Sequence, residues 1–269
     1  MEKLLWKPRQ GQRGLGDRLR GIAATRVVAS NANAILQFPW NRNRQCPYTF
    51  GEVPLAWPGC EVRPRREMSC AGMTHRMNFS VVNAWRHFHL RGQYLGTSEE
   101  FIQEWIREAR ALLTPAGSFR EEFEEFVSSQ EMEDCVGVHL RRTDACLDPS
   151  KVSATTSIQE LDAALWKGLM TCVQHQGVSG VYLASDSQSY QKCWAKALRA
   201  RGLRVVTWPT HWRSELRQTA AVDVIADLLS LTRCSQVIAS FHSSLLSLAL
   251  CFDVPIHLFT PESVELTIQ

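Results

Sequence analysis

The sequence predicts an α/β protein whose C-terminal half is a parallel sheet flanked by helices. Three observations predict it. From Asp134 onward, short apolar runs with strand character alternate with amphipathic helical stretches. Near the N-terminus a strand, a glycine turn, a helix and a second strand follow one another in the same way. The chain of 269 residues, 45% hydrophobic and 21% charged, is long and apolar enough for one large or two small packed domains.

Taken in order, Lys3 to Pro8 reads as a strand, Gly14-Leu15-Gly16-Asp17 as a turn, Arg18 to about Ser30 as a helix and Ala34 to Trp40 as the next strand. Residues 41 to 74, rich in Pro, Arg, Cys and Gly, read as irregular loops. Asn78 to Leu90 and Ser98 to Leu113 read as helices. The second carries Phe101, Ile102, Trp105, Ile106 and Ala109 at helical spacing, with Ser98 as N-cap, and ends at Pro115 and Gly117. Phe119 to Val127 repeats the pattern with Phe119, Phe123 and Phe126 as a core stripe.

In the C-terminal half, Cys135 to Leu140, Gly180 to Ala184, Leu203 to Thr207, Gln236 to Ala239 and Ile256 to Phe259 read as strands. Between them lie helices at Ile158 to His175, Ser189 to Arg201, Ala220 to Thr232 and Ser243 to Phe252. Strands separated by helices in this way pair in parallel through right-handed crossovers, and ligands bind such sheets at the carboxyl ends of the strands. The loops selected by that rule are His139 to Asp148, Ser185 to Ser189 and Ser240 to Ser244.

Charge and cysteine content exclude several classes. Lys and Arg number 30 against 27 Asp and Glu, too balanced for a sequence-independent nucleic-acid binder. A nucleic-acid module on the basic first 26 residues is a minor reading, one that predicts strongly salt-dependent binding. The acidic block from Glu99 to Asp134 reads as a solvated face. Nine cysteines form no CxxC pair, so zinc is not expected. Those at 135, 172 and 251 suit buried free thiols, and a bridge among Cys46, Cys60 and Cys70 would suit a secreted form. No signal-peptide core and no apolar run of about 18 residues is visible, so no transmembrane segment is expected.

The first selected loop runs from an apolar strand into adjacent guanidiniums, Val136-Gly137-Val138-His139-Leu140-Arg141-Arg142-Thr143-Asp144. Arg keeps its charge and matches phosphate oxygens in a fork, so a pyrophosphate is the natural guest. The other reading is an Arg pair salt-bridged to Asp144 and to a neighbouring helix. His139 reads either as part of that site or as a hydrogen-bonded core group. Asp227 lies within an apolar helical run, Val222 to Leu231, where a carboxylate needs a partner. Guanine, with its N1–H and amino donors, would supply one, and Asp223, one turn earlier, is the rival. Asp186, at a strand end, is either a site residue or a turn aspartate. Ser240-Phe241-His242-Ser243-Ser244 forms an anion cradle or plain helix N-caps. Gly14 and Gly16 could turn the backbone near a phosphate, but Leu19 stands where a Rossmann fingerprint needs its third glycine, and no GxxxxGK[ST] is present.

Together, Val136 through Asp144, Val181-Tyr182-Leu183-Ala184-Ser185-Asp186 and Asp227 through Ser244 resemble the sugar-nucleotide-binding half of α-1,6-fucosyltransferases. They are also similar to bacterial nodulation fucosyltransferases and, more distantly, to protein O-fucosyltransferases. The resemblance runs from Cys135 to Phe252, and Gly14-Leu15-Gly16-Asp17-Arg18-Leu19 resembles the family's N-terminal glycine turn.

The resemblance implies a GT-B-like fold of two Rossmann-like lobes, with 1–130 on the acceptor side and 131–269 binding GDP-fucose. It implies inverting, metal-independent transfer of fucose to a hydroxyl of a glycan or glycoprotein; the absence of a magnesium-binding Asp-x-Asp agrees. No cofactor is implied beyond the donor substrate. By position, Arg141 falls on the family's β-phosphate arginine and Arg142 on its neighbour. His139 and Asp227 fall on the guanine pair, and Asp186 and Ser243 on donor-site residues. Asp144, Ser244, Gly14 and Gly16 complete the expected donor contacts. Asp148, before Pro149, stands near the family's glutamate base and is either that base or a turn initiator. The sequence departs from the family at Ala145, Ser187 and Ser244, in place of a lysine, an aspartate and a glutamine. A non-catalytic GDP-sugar or glycan-binding protein of the same fold is the alternative. The implied compartment is the Golgi or secretory pathway for a eukaryotic chain and the cytoplasm for a bacterial one.

Overall fold

The computed structural model describes residues 2–5, 14–43, 46–62, 99–142, 158–213, 219–240, 245–260 and 263–268. The chain divides into two compact units, Met1–Gly117 and Ser118–Gln269.

In the first unit, β1 (Glu2–Leu5), β2 (Ala34–Phe38) and β3 (Cys60–Val62) form a three-stranded parallel sheet in the order β1-β2-β3. β3 lies within the stretch expected to be irregular. Its three residues give too short a period to read, and it is held as a strand by pairing with β2, Leu36 opposite Cys60. Helix α1 (Leu15–Asn31) connects β1 to β2 and starts three residues earlier than the glycines suggest. Gly14 is its N-cap, with extended backbone at φ −69, and Gly16 lies inside its first turn, so neither glycine adopts a left-handed turn. Helix α2 (Glu99–Leu112) packs on α1 through Arg26 and Glu108, whose side chains form a buried ion pair; Ser30 donates to the other oxygen of Glu108 at 2.8 Å. Cys46 and Cys60 are free thiols, so no bridge joins them; Cys70 lies outside the described residues, as does the helix expected at Asn78 to Leu90.

The second unit begins with α3 (Gly117–Ser129), whose Phe119, Phe123 and Phe126 pack against Trp208 with ring centroids 4.9–6.2 Å apart. Its sheet has six strands in the order β6-β5-β4-β7-β8-β9. β4 (Cys135–Leu140), β5 (Gly180–Ser185), β6 (Arg204–Val206), β7 (Gln236–Ser240) and β8 (Ile256–Thr260) pair in parallel. An antiparallel edge strand, β9 (Ser263–Ile268), is an addition to the expected five. The helices are α4 (Ile158–Gln176), α5 (Gln188–Arg199), α6 (Ala221–Leu231) and the single turn α7 (Leu246–Ala249), which continues as a 3-10 turn to Phe252. Ser243, expected to open that last helix, lies outside the described residues.

Strand order explains where a ligand would go. The chain lays β4, β5 and β6 outward in one direction, then returns through α6 to place β7 on the other side of β4. Because parallel crossovers keep one hand, reversing direction puts α6 on the opposite face from α4 and α5. The side chains agree: Val136, Val138, Leu140, Val181 and Leu183 form one core with Leu165 and Leu169 of α4 and Trp194 and Leu198 of α5. By strand alternation, Gly137, His139 and Tyr182 face α6 instead. The reversal between β4 and β7 is the switch point, where such sheets open a crevice beyond the carboxyl ends of their strands.

Candidate functional site

In the second unit, each described candidate residue hangs from the carboxyl ends of β4 and β5 or from the helix that covers them. β4 is fully buried along its length, so its apolar residues bring the chain to Arg141 and Arg142 at the sheet edge. Asp186, just past β5, accepts the backbone N–H of Arg142 at 2.6 Å, while Ser185 Oγ donates to the Leu140 carbonyl at 3.0 Å. These bonds clasp the two strand ends together and set the direction in which the β4 loop leaves.

The two arginines then part ways. Arg142 is only 2% exposed. Its guanidinium is paired with Asp162 of α4, donates to the Arg141 carbonyl at 2.9 Å and lies over the Tyr190 ring at 5.4 Å. It therefore occupies the place of the salt-bridged arginine in the alternative reading, with a helix carboxylate as partner. Arg141 remains partly exposed at the sheet edge.

His139 is 7% exposed, and its Nδ1 is buried without a hydrogen-bond partner among the described residues. Burial, followed by the neighbouring charges of Arg141 and Arg142, pushes its pKa down to about 3. The imidazole is neutral at physiological pH, a donor and acceptor in search of a partner rather than a charge.

Asp227 and Asp223, equivalent in the sequence, have different surroundings. Asp223 is fully buried, and its Oδ2 accepts the backbone N–H groups of Ala220 and His211, each at 3.0 Å. It caps the start of α6 and ties the segment after β6 to that helix. Asp227, 5% exposed, accepts a single hydrogen bond among the described residues, from the Tyr182 hydroxyl to Oδ1 at 2.6 Å. Burial raises its pKa to about 8; the Tyr182 hydrogen bond works against this, and the charges of Asp223 and Asp186 add to it.

Asp227 and His139 share a face and a height. α6 runs antiparallel to the strands, and Leu231 sits directly over Gly137, where an added Cβ would lie 2.8 Å from its Cδ2. Asp227 is one helical turn nearer the carboxyl ends, about 5–6 Å along, and His139 is two residues along β4 in the same direction. A partnerless ring nitrogen and a carboxylate with a spare oxygen thus lie on the same face of the sheet, toward the carboxyl ends of its strands.

Tyr182 stands in the Val181 to Asp186 motif, but motif reasoning assigns it no role. The signal that finds it is strand parity, which puts a large hydroxylated side chain on the α6 face of β5. Asp144, Asp148, Ser243 and Ser244 lie outside the described residues. Gly14 and Gly16 are buried at the start of α1 in the first unit. Among the described residues no cluster of His, Cys, Asp and Glu could hold a metal ion, and no helix is long and apolar enough to cross a membrane.

No protein-family model matches the chain, and no curated protein matches it by sequence. Solved structures do. The chain is similar over its whole length to NodZ alpha-1,6-fucosyltransferase soaked with GDP-fucose, with TM-score 0.58, 16% identity and 99% of that chain covered. It is also similar to POFUT1 in its apo form, with TM-score 0.53 and 12% identity over 96% of this chain and 97% of the other. A mutant of Arabidopsis thaliana FUT1 in complex with GDP matches with TM-score 0.51 and 10% identity, covering 97% of this chain and 71% of that one. The chain has the GT-B-like fold of these fucosyltransferases.

Proposed function

We propose that this protein, sharing the fold of solved fucosyltransferases along its whole length, is itself an inverting fucosyltransferase. It moves fucose from GDP-fucose to a hydroxyl of a glycan or glycoprotein acceptor, with residues 131–269 holding the donor and 1–130 on the acceptor side. The observation that supports this reading is a buried His139 and a buried Asp227 with an oxygen to spare on one face of the sheet, with a partly exposed Arg141 at the end of the same strand as His139. Two of the similar structures hold GDP-fucose or GDP.

In this mechanism Asp227 accepts the N1–H and amino donors of guanine, and neutral His139 supplies a further hydrogen bond to the nucleotide. The acceptor hydroxyl, deprotonated by Asp148, attacks the anomeric carbon from the face opposite the diphosphate. The bond to the diphosphate oxygen breaks as the new glycosidic bond forms, which inverts the configuration. Negative charge grows on the leaving GDP, and Arg141 meets it without a metal ion. Such a preplaced charge is worth about 3–4 kcal/mol in the transition state. Asp144, Asp186, Ser243 and Ser244 complete the donor contacts, together with Gly14 and Gly16. Arg142 acts from within, holding the β4 loop.

An array of glycan and glycoprotein acceptors incubated with GDP-fucose tests the reading. Acceptor-dependent release of GDP supports transfer. GDP binding by calorimetry with no turnover on any acceptor would leave the non-catalytic binding protein, a reading favoured by Ala145 in place of the family's lysine.

A further inference from the structure

Tyr182 lies in the Val181 to Asp186 motif with no role assigned to it, yet it supplies the one hydrogen bond that Asp227 takes among the described residues. Both groups are buried, and the ring is held edge-on by Phe126 of α3 with centroids 6.4 Å apart. Its strand, β5, is paired on both sides, so the hydroxyl has a fixed origin in the sheet. A carboxyl gripped at Oδ1 by a donor on a paired strand rotates only by giving up that bond. Its Oδ2 and the second lone pair of Oδ1 stay available on the face that carries the partnerless Nδ1 of His139.

Resting on the guanine-binding reading above, we propose that Tyr182 is a positioning residue for nucleotide uptake. It orients the Asp227 carboxyl toward a base offering two adjacent N–H donors, and base uptake releases the carboxyl proton to solvent.

The surroundings of Asp227 give the proposal its sign. Asp223 on α6 and Asp186 beyond β5 oppose its charge, the Tyr182 hydroxyl favours it, His139 on β4 is neutral, and the Cys234 thiol after α6 is held protonated by burial. The unliganded carboxyl titrates near pH 8, so at pH 6.5 it carries a proton. Two N–H donors can pair only with the ionised form. Affinity for GDP therefore rises with pH, close to tenfold per unit while the acid form dominates, and flattens above pH 8. Removing the Tyr182 hydroxyl removes a bond that favours the charge, so the midpoint moves upward.

Calorimetric titration of the full chain with GDP between pH 5.5 and 9, in buffers of different ionisation enthalpy, tests this. The expected result is release of nearly one proton per GDP at pH 6.5 and none at pH 9. In Tyr182→Phe the pH midpoint should shift upward by about one unit, so that affinity falls about tenfold at pH 6.5 and about twofold at pH 9. GDP bound with a flat pH profile and no proton release overturns the proposal and leaves the guanine-binding reading standing. Equal weakening of Tyr182→Phe at every pH overturns the positioning role. No GDP binding at any pH overturns both readings. Should Tyr182→Phe fail to fold, the wild-type proton count still decides the proton release, none overturning it, and Phe126→Leu, which frees the Tyr182 ring, carries the positioning test with the same upward shift of the midpoint expected.

Discussion

Adjacent arginines with one charge and one side chain in common have opposite parts here, because strand geometry sends one outward and one inward. Arg141 is partly exposed at the sheet edge, where the proposed function has it meet the diphosphate; Arg142 is buried against Asp162 and Tyr190. The variants should separate cleanly. Arg141→Ala is expected to lower transfer by about 10²–10³-fold with an unchanged melting temperature. Arg142→Ala leaves Asp162 unpaired and removes the guanidinium from a buried site. Since Asp162 is 24% exposed, the loss should lie near the low end of the range for broken buried pairs, about 3 kcal/mol. Thermal melts and initial rates on both variants check this; a destabilised Arg141→Ala would show that its charge serves the fold.

At the scale of the element, α6 carries Asp227, and its distance from the sheet is set by a missing side chain. Gly137 has φ in the ordinary range, so its role is space: a Cβ would meet Leu231 Cδ2 at 2.8 Å and Cys234 Sγ at 3.3 Å. Gly137→Ala must push the helix or its Leu231 aside. Overpacking of this kind costs about 1–3 kcal/mol. Because Asp227 rides on the same helix one turn away, GDP affinity should drop together with the melting temperature. Leu231→Ala should offset part of both losses by opening the space. Denaturant unfolding and GDP titration of the single and double variants measure the coupling; additive effects would show that the helix does not transmit the change.

For the whole molecule, a ligand bound only by the native state stabilises by mass action. GDP at about a hundred times its Kd should add about 2.7 kcal/mol, read as a rise in melting temperature. ADP lacks guanine's adjacent N1–H and amino donors and should leave the melt nearly unchanged. A shift of equal size for both nucleotides would mean that the diphosphate alone is recognised and that Asp227 does not read the base. The comparison needs no acceptor, so it isolates the donor site from catalysis.

Much of the fold was legible in the sequence because buried parallel strands and amphipathic helices impose their own periods. All five parallel strands of the second unit, and α2 and α4 to α6, follow from apolar runs and amphipathic helical patterns, while α1 follows from its place after the glycine turn. Legibility failed where an element owes its existence to a partner: β3 is three residues paired to β2, β9 closes an edge, and α7 shrinks to one turn.

The same division runs through the site. The sequence alone determined that guanidiniums, a histidine and helix carboxylates lie near strand ends, since residue type and element order are local properties. Tertiary structure alone decided which arginine is buried, that Asp223 is spent on capping while Asp227 keeps an oxygen to spare, and that Tyr182 holds it. Each of those outcomes depends on burial and on partners 12 to 45 residues away, as in the bonds of His211 to Asp223 and Tyr182 to Asp227, and one-dimensional spacing does not encode such distances.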